Sequence, residues 1–112
     1  GGLILGEIGD IHRFKDSDSL VSFSGIDIEV YESGKYKAKH NHISKKGSKY
    51  LRYALFQVAR IIWIHDPVFH QYYLKKKREG KHYYVILGHI EKKVTRVIYS
   101  VLKNNKAYIP QN

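Results

Sequence analysis

Cysteine and methionine are both absent from this sequence of 112 residues. Because there is no cysteine, the chain forms no disulfide and offers no thiolate metal site or cysteine nucleophile. No apolar run approaches the roughly 20 residues that cross a bilayer, and the opening GGLILGEIGD lacks the basic flank of a secretory signal. The length fits one domain. Since position 1 is not methionine, we expect that domain to be a fragment of a longer protein.

Acidic residues are scarce after position 34. Residues 1–34 hold seven acids and two basic residues, whereas residues 35–112 hold eighteen basic residues and three acids, Asp66, Glu79 and Glu91. The formal net charge is +10, and its concentration in the second part indicates a polyanionic partner, with nucleic acid first. A soluble basic domain without such a partner is the alternative. A metal-dependent nuclease needs converging carboxylates, and three widely spaced acids do not supply them.

Helical spacing dominates the sequence on both sides of residues 26–43. Helices are predicted over residues 2–9, about 16–24, 48–66, 67–79 and 82–103, with Ser48 as a cap and Pro67 in a first turn. Trp63 is expected to be buried. The buried stripe of the last helix is predicted at positions three or four residues apart: Tyr83, Leu87, Ile90, Val94, Val97 or Ile98, and Val101.

Residues 26–32, IDIEVYE, alternate apolar and polar side chains, which is typical of a strand. Ser33-Gly34 is a turn signal, and KYKAKHNHI then alternates again. The predicted fold class is therefore mainly α: a small helical domain with a short β-hairpin or an extended basic loop near residues 26–43.

The stretch ESGKYKAKHNHISKKGSKYLR, residues 32–52, holds one acid and seven basic residues. It is either a solvated basic loop or a surface that tracks a phosphate backbone. Tyr36 and Tyr50 lie between the cations and either stack on bases or cover the edge of the core. Residues 44–48, SKKGS, run into a predicted helix start, where free backbone N–H groups favour an anion. The candidate phosphate-binding residues are Lys35, Lys37, Lys39, Lys45, Lys46, Lys49 and Arg52.

Two further features of this stretch have ordinary explanations. A serine before a glycine, as at Ser33, is usually turn chemistry, and a serine nucleophile needs an activating partner that the neighbouring sequence does not clearly supply. His40 and His42 offer two ligands for a metal but lack a third nearby. The residues alone therefore leave both a catalytic and a structural role open.

The motifs GEIGDIHRF, then Ser24-Gly25-Ile26, then ESGKYKAKHNHISKKGSKYLRYALFQVAR resemble the C-terminal domain of a bacterial insertion-sequence transposase family. Members pair a RuvC-like N-terminal domain with this domain and are associated with bridge-RNA-guided recombination. The resemblance covers about residues 3–65. Two differences stand out: the usual Pro-Gly-x-Gly hairpin is replaced by Gly1-Gly2, and Ile28 stands where proline is frequent.

This resemblance implies that Ser33 is the nucleophile, which attacks a DNA phosphate and forms a covalent phosphoserine intermediate. It implies that the missing RuvC-like domain supplies a carboxylate cluster and Mg²⁺, so that no cofactor is expected in residues 1–112. DNA, a guide RNA and further copies of the protein are the implied partners. A bacterial cytoplasmic, nucleoid-associated protein with no membrane contact is expected.

Three functional hypotheses follow. The leading one is the catalytic C-terminal domain of such a transposase, with residues 1–112 inactive alone because the upstream helix-hairpin-helix start and RuvC-like domain are missing. The second is a non-catalytic basic module that binds nucleic acid. The third is a protein–protein assembly domain that uses the tyrosine-rich helices at residues 67–79 and 82–103.

Overall fold

The computed structural model describes residues 2–26 and 48–104, which form helices joined by short turns. They are α1 (Gly2–Ile8), a short 3₁₀ helix (Ile11–Arg13), α2 (Ser17–Ser24), α3 (Lys49–His65), α4 (Pro67–Arg78) and α5 (Tyr83–Asn104). The mainly α fold class is thereby confirmed. The predicted hairpin or extended loop near residues 26–43 lies outside the described residues, apart from Ile26. Within the described part, no helix is long and apolar enough to cross a membrane.

Helix α2 begins and ends where its local sequence predicts. The Asp16 side chain accepts a hydrogen bond from the backbone N–H of Ser19 at 2.9 Å, and this bond lowers the pKa of the Asp16 carboxyl. Gly25 closes the helix in the left-handed conformation with φ of 75°. A residue with a side chain rarely adopts this conformation. The end of α2 therefore depends on glycine.

Helix α4 follows α3 after a single residue. Asp66 accepts hydrogen bonds from the backbone N–H groups of Val68 and Phe69, at 2.9 and 3.2 Å, and Pro67 occupies the first turn. Proline fits there because the first N–H groups of a helix have no intrahelical acceptor. The last turn contains four basic residues, and positive charges at this end interact favourably with the helix dipole. The predicted helix over residues 67–79 is confirmed within one residue.

The core forms where α5 packs against α2 and α3, with α4 and α1 closing the remaining sides of α3. Leu87, Ile90 and Val94 are buried as predicted. The predicted positions Val97 or Ile98 and Val101 are only partly buried, because they line an apolar groove beside α1 and α3. The side chains with almost no exposed surface include Ile8, Leu20, Leu51, Leu55, Ile86, Leu87 and Ile90.

Trp63 is partly buried rather than fully enclosed. Its indole stacks on the ring of Tyr73, with centroids 3.8 Å apart, and on His70 at 5.9 Å. Among the residues that the structure describes, its Nε1 is the buried side-chain polar atom that has no hydrogen-bond partner. The aromatic stack thus fixes α3 against α4 through ring contacts.

Ser48 ties the start of α3 to both preceding helices. Its backbone N–H donates to the carbonyl of Phe23 at 2.8 Å, and its hydroxyl donates to a carboxylate oxygen of Glu7 at 2.5 Å. The same hydroxyl oxygen accepts from the backbone N–H of Leu51 at 3.1 Å, which is the predicted cap. One residue therefore caps α3 and fixes its position against α1 and α2.

Replacing Ser48 by alanine is expected to lower the free energy of unfolding by about 1–2 kcal/mol, because it removes the cap and the link to Glu7. Urea unfolding followed by circular dichroism measures this change. Ser22→Ala, on the exposed side of α2, is the matched control and should change stability by less than about 0.5 kcal/mol. Equal midpoints for the two variants would show that the tie does not stabilise the fold.

Candidate nucleic-acid interface

Only the last two candidate phosphate-binding residues lie in the described part of the chain. Lys49 and Arg52 both lie at the start of α3, three residues apart. The other candidates lie outside the described residues: Ser33, Lys35, Lys37, Lys39, Lys45 and Lys46. The structure therefore gives the surroundings of one end of the predicted basic segment.

Lys49 is exposed at the helix start, with its Nζ 5.4 Å from the centroid of the Tyr50 ring. This distance is within the range of a cation–π contact. An exposed ammonium beside an exposed ring can reach a phosphate while the ring remains free to contact an apolar group. Lys49 therefore lies on the solvent side of α3.

The predicted anion site at residues 44–48 meets a competing charge. Only Ser48 of that run is described, and its hydroxyl is bound to the Glu7 carboxylate. A carboxylate at a helix N-terminus is favoured by the dipole, but its negative charge repels a phosphate from the same place. The Glu7 carboxylate therefore occupies the helix terminus at which the sequence predicted an anion.

Arg52 is half-buried and lies on the boundary between the outer face of α3 and the core. Its positive charge acts on Glu91 of α5, which is only 3% exposed. Burial raises the pKa of the Glu91 carboxyl to about 8, and the Arg52 charge offsets part of that increase. At neutral pH the protonated form of Glu91 therefore predominates, and this form does not offset the positive charge of Arg52.

Glu91 was not among the predicted site residues, although the sequence contains the signal for it. Leu87, Ile90 and Val94 form the buried stripe of α5, and Glu91 lies four residues after the first of these and three before the last. That spacing places it on the buried face. A charged side chain is usually expected at the surface, but Glu91 is buried as its helical spacing predicts.

The outer face of α3 carries four large apolar or aromatic side chains. Tyr50, Tyr53, Ile61 and Ile64 are 60%, 63%, 55% and 54% exposed. Arg60 is exposed on the same helix and donates to the side-chain oxygen of Gln57 at 2.6 Å. Tyr50, which the sequence predicts either to stack on bases or to cover the edge of the core, is exposed and does not cover the core.

The tyrosines of α4 and α5 are buried or half-buried, with the exception of Tyr84. Tyr73 is buried, and the Tyr99 hydroxyl donates to the carbonyl of Phe14 at 3.4 Å. Tyr72 lies under the Lys93 ammonium at 4.8 Å, and burial raises the pKa of its hydroxyl. Tyr84 is 55% exposed. In an assembly surface built from the tyrosines of these two helices, Tyr84 would supply most of the exposed ring area.

Residues 2–26 and 48–104 contain no group of three or more His, Asp or Glu side chains that could hold a metal ion. The described residues thus do not fit a Mg²⁺ site of their own. The histidine pair at residues 40 and 42 lies outside them.

Comparison with known proteins relates this chain to a family. A family model described as "Transposase IS116/IS110/IS902 family" matches residues 3–74. The chain is similar to the pilin gene-inverting proteins of Moraxella bovis, with 29% identity over 106 residues (94% of this chain and 33% of that protein), and of Moraxella lacunata, with 29% identity over 102 residues (90% and 32%). It is also similar to the "insertion element IS116 uncharacterized 44.8 kDa protein" of Streptomyces clavuligerus, with 23% identity over 103 residues (92% and 26%).

The chain spans about a third or less of the length of these curated relatives. No solved structure matches it. The family model covers α1, α2, α3 and most of α4, together with the segment that contains Ser33.

The Glu91 carboxyl makes stability depend on pH. Its pKa is about 8 in the folded chain against an ordinary value of 4.5, so between these values the folded state holds a proton that the unfolded state has lost. Unfolding therefore becomes easier as pH rises through this window, by an amount on the order of a few kcal/mol. Glu91→Gln should remove this component, so its stability advantage over the parent should grow from about pH 4.5 and level off above about pH 8.

Urea midpoints measured across that window in parent and variant test this difference. Glu79→Gln, at an exposed acid near the end of α4, is the matched control and should run parallel to the parent. A parent that gains stability relative to Glu91→Gln as pH rises would show instead that the ionised pair with Arg52 prevails over burial.

Proposed function

Because the chain belongs to the IS116/IS110/IS902 transposase family, we propose that it is the C-terminal domain of an insertion-sequence transposase, which binds DNA and supplies Ser33 as the nucleophile for strand cleavage and exchange. The observation that carries this proposal is the extent of the family match. It includes Ser33 and every candidate phosphate-binding residue up to Arg52. The names of the two Moraxella relatives, which refer to inversion of a pilin gene, are consistent with DNA recombination.

The proposed step is a displacement at phosphorus. The Ser33 hydroxyl oxygen bonds to the phosphorus of a DNA phosphodiester while the bond from phosphorus to one sugar oxygen breaks. The serine loses its proton to a base, and the released sugar oxygen gains one and becomes a hydroxyl. The resulting phosphoserine ester keeps the strand attached to the protein. Attack by a hydroxyl from another strand reverses the step and completes the exchange.

The cations of residues 35–52 have a defined part in this proposal. The phosphoryl oxygens gain negative charge as the nucleophile approaches, and fixed positive charges stabilise that charge. Lys49 and Arg52 are held on the first turn of α3, whose position Ser48 fixes against α1 and α2. Neutral Glu91 leaves the Arg52 charge available for a phosphate. Lys35, Lys37, Lys39, Lys45 and Lys46 complete the proposed phosphate-binding set.

The remaining components belong to the rest of the proposed protein. A RuvC-like domain with a carboxylate cluster is proposed to hold Mg²⁺, which when bound offsets phosphate charge and stabilises the leaving oxygen. A guide RNA and several copies of the protein on DNA are also part of the proposal. The described residues contain no group of acids that could itself hold the metal ion.

A second candidate function is a nucleic-acid binding module without catalysis. The observation that favours it is the exposed cationic and aromatic face of α3, where Lys49, Tyr50, Tyr53 and Arg60 need no reactive serine in order to bind. In that case Ser33 is a turn residue. The two candidates agree on binding and differ on whether a covalent intermediate forms.

Ser33→Ala in the full-length transposase distinguishes them. Under the leading proposal it abolishes strand exchange and retains DNA binding, because only the nucleophile is lost. Ser22→Ala, at an exposed serine of α2, is the matched control and should recombine normally. Recombination by Ser33→Ala at the parental rate would rule out the nucleophile and leave the binding module.

The covalent intermediate itself offers a direct measurement. After incubation with substrate DNA, denaturation and nuclease digestion, trypsin should release residues 16–35 with a nucleotide adduct on Ser33. The same peptide holds four serines of α2, which serve as internal controls for the assignment. Of these, Ser24 is fully buried and donates to the carbonyl of Leu20 at 2.9 Å. Fragmentation that places the adduct on an α2 serine would contradict the assignment.

The 112-residue chain alone is expected to bind DNA without cleaving it, because the proposed metal-binding carboxylates lie in another domain. Gel assays of nicking in Mg²⁺ buffer test cleavage, and anisotropy at increasing salt tests binding. Affinity should fall steeply with salt, since each phosphate contact releases counterions. Nicking of duplex DNA by the isolated chain would overturn the split-site proposal.

A further inference from the structure

The outer face of α3 presents ring surface to solvent in a pattern that packing does not require. Tyr50 and Tyr53 lie on the side of the helix opposite Leu51 and Leu55, which are fully buried. The two tyrosines are three residues apart, which corresponds to about 4.5 Å along the helix axis. Two exposed rings side by side on a helix with a satisfied core face indicate a contact with a partner.

A third exposed ring continues this surface at the start of α5. Tyr84 stacks on Phe56 of α3, with ring centroids 6.5 Å apart and an angle of 15° between the planes. Its ring also lies beside that of His82, with centroids 5.7 Å apart and an angle of 23° between the planes. Phe56 is three residues after Tyr53 and therefore lies next to it on the helix. We call Tyr50, Tyr53 and Tyr84 the tyrosine platform.

Charge decides what kind of partner the tyrosine platform fits. Lys49 lies over the Tyr50 ring at 5.4 Å, and Arg60 is exposed two turns after Tyr53. No acid lies between Ser48 and Asp66 in the sequence of this helix. Aromatic faces bordered by cations match a polyanion that also presents flat apolar faces, which is the chemistry of a nucleic-acid strand.

The exposed rings suit unpaired nucleotides better than paired ones. In a duplex the base faces are covered by their neighbours in the stack, so a tyrosine ring cannot reach them. Reading a duplex by its edges needs amide, guanidinium or similar side chains in a groove, and the centre of this surface is tyrosine. Stacking on rings tolerates any base, because every base has an aromatic face.

We propose that the tyrosine platform binds unpaired nucleotides, with bases stacked on Tyr50, Tyr53 and Tyr84 and the adjoining phosphates held by Lys49 and Arg60. This deepens the proposed function and rests on it in one respect, since strand exchange by Ser33 produces strands that are transiently unpaired. The ligand chemistry is shared by single-stranded DNA and by the unpaired parts of an RNA. The ribose hydroxyl has no part in the stacking itself.

The test compares single strands with duplex on the 112-residue chain and its variants. Fluorescence anisotropy is measured with labelled oligo(dT) and oligo(rU) of about 12 nucleotides, and with a mixed-sequence duplex of equal length. The double variant Tyr50→Ala/Tyr53→Ala should weaken single-strand binding by about tenfold or more, the size of effect expected for lost stacking. Duplex binding, which depends on cations, should change less than about threefold.

Two matched variants separate stacking from other causes. Tyr50→Phe/Tyr53→Phe keeps the ring faces and should bind single strands like the parent. Ile61→Ala/Ile64→Ala removes exposed apolar surface from the same helix and should leave single-strand binding unchanged. In a strand that contains 2-aminopurine, binding to the parent should quench emission by stacking, and the double alanine variant should not. Circular dichroism confirms that each variant is folded.

Each contrary result has a distinct meaning. If the double alanine variant binds single strands with an affinity within about twofold of that of the parent, the tyrosine platform is not the binding site. Duplex binding that weakens with salt would still support the proposed function. Equal losses from the tyrosine and isoleucine pairs, together with loss of self-association in sedimentation, would make this face a protein interface. Absence of any binding to single strands or duplex would remove both the inference and the DNA-binding part of the proposed function.

Comparison of the two oligonucleotides identifies the source of the strand. Equal affinity for oligo(dT) and oligo(rU) supports stacking alone and fits either source. A preference for oligo(rU) that Tyr50→Ala/Tyr53→Ala abolishes supports an unpaired RNA segment as the occupant. The corresponding preference for oligo(dT) supports a DNA strand.

Discussion

The hydrogen bonds of Ser48 are the constraint on which the arrangement of this domain depends. The described chain leaves the core at Ile26, directly after α2, and re-enters it at Ser48, whose N–H is bound to the carbonyl of Phe23. The two ends of the intervening segment are therefore held at one place. That segment contains Ser33 and most of the predicted phosphate-binding lysines.

Two carboxylates near the start of α3 lie in different surroundings. The Glu7 carboxylate accepts a hydrogen bond from the Ser48 hydroxyl beside the helix terminus, where the dipole favours a negative charge. Glu91 is enclosed and mostly protonated at neutral pH, so it does not neutralise Arg52. The exposed cations and rings of α3 therefore face solvent with little opposing charge from their own domain.

The fold was predictable where its determinants are local. Asp16, Gly25, Asp66 and Pro67 act within a few residues of themselves, and the predicted helix ends agree with the structure there. The bond between Ser48 and Glu7 joins residues 41 positions apart, and no local pattern specifies such a pair.

The site was less predictable than the fold. Arg52 is a candidate phosphate-binding residue from its sequence, whereas its position on the helix makes it half-buried and brings its charge close to Glu91. The burial of Glu91 followed from its spacing, but a charged residue in an apolar stripe conflicts with the usual expectation that acids are exposed. The role of Ser33 stays a prediction, since residues 27–47 lie outside the described part and the resemblance alone assigns it.

The enclosed carboxyl of Glu91 also couples the folding of the domain to its buffer. With a pKa of about 8 in the folded chain against 4.5 ordinarily, Glu91 takes up a proton when the chain folds at neutral pH and releases it on unfolding. The folded chain is therefore more positive at neutral pH than its formal net charge of +10, which counts Glu91 as ionised. A calorimetric enthalpy of unfolding measured at that pH includes the heat with which the buffer accepts this proton, and it differs between buffers of the same pH.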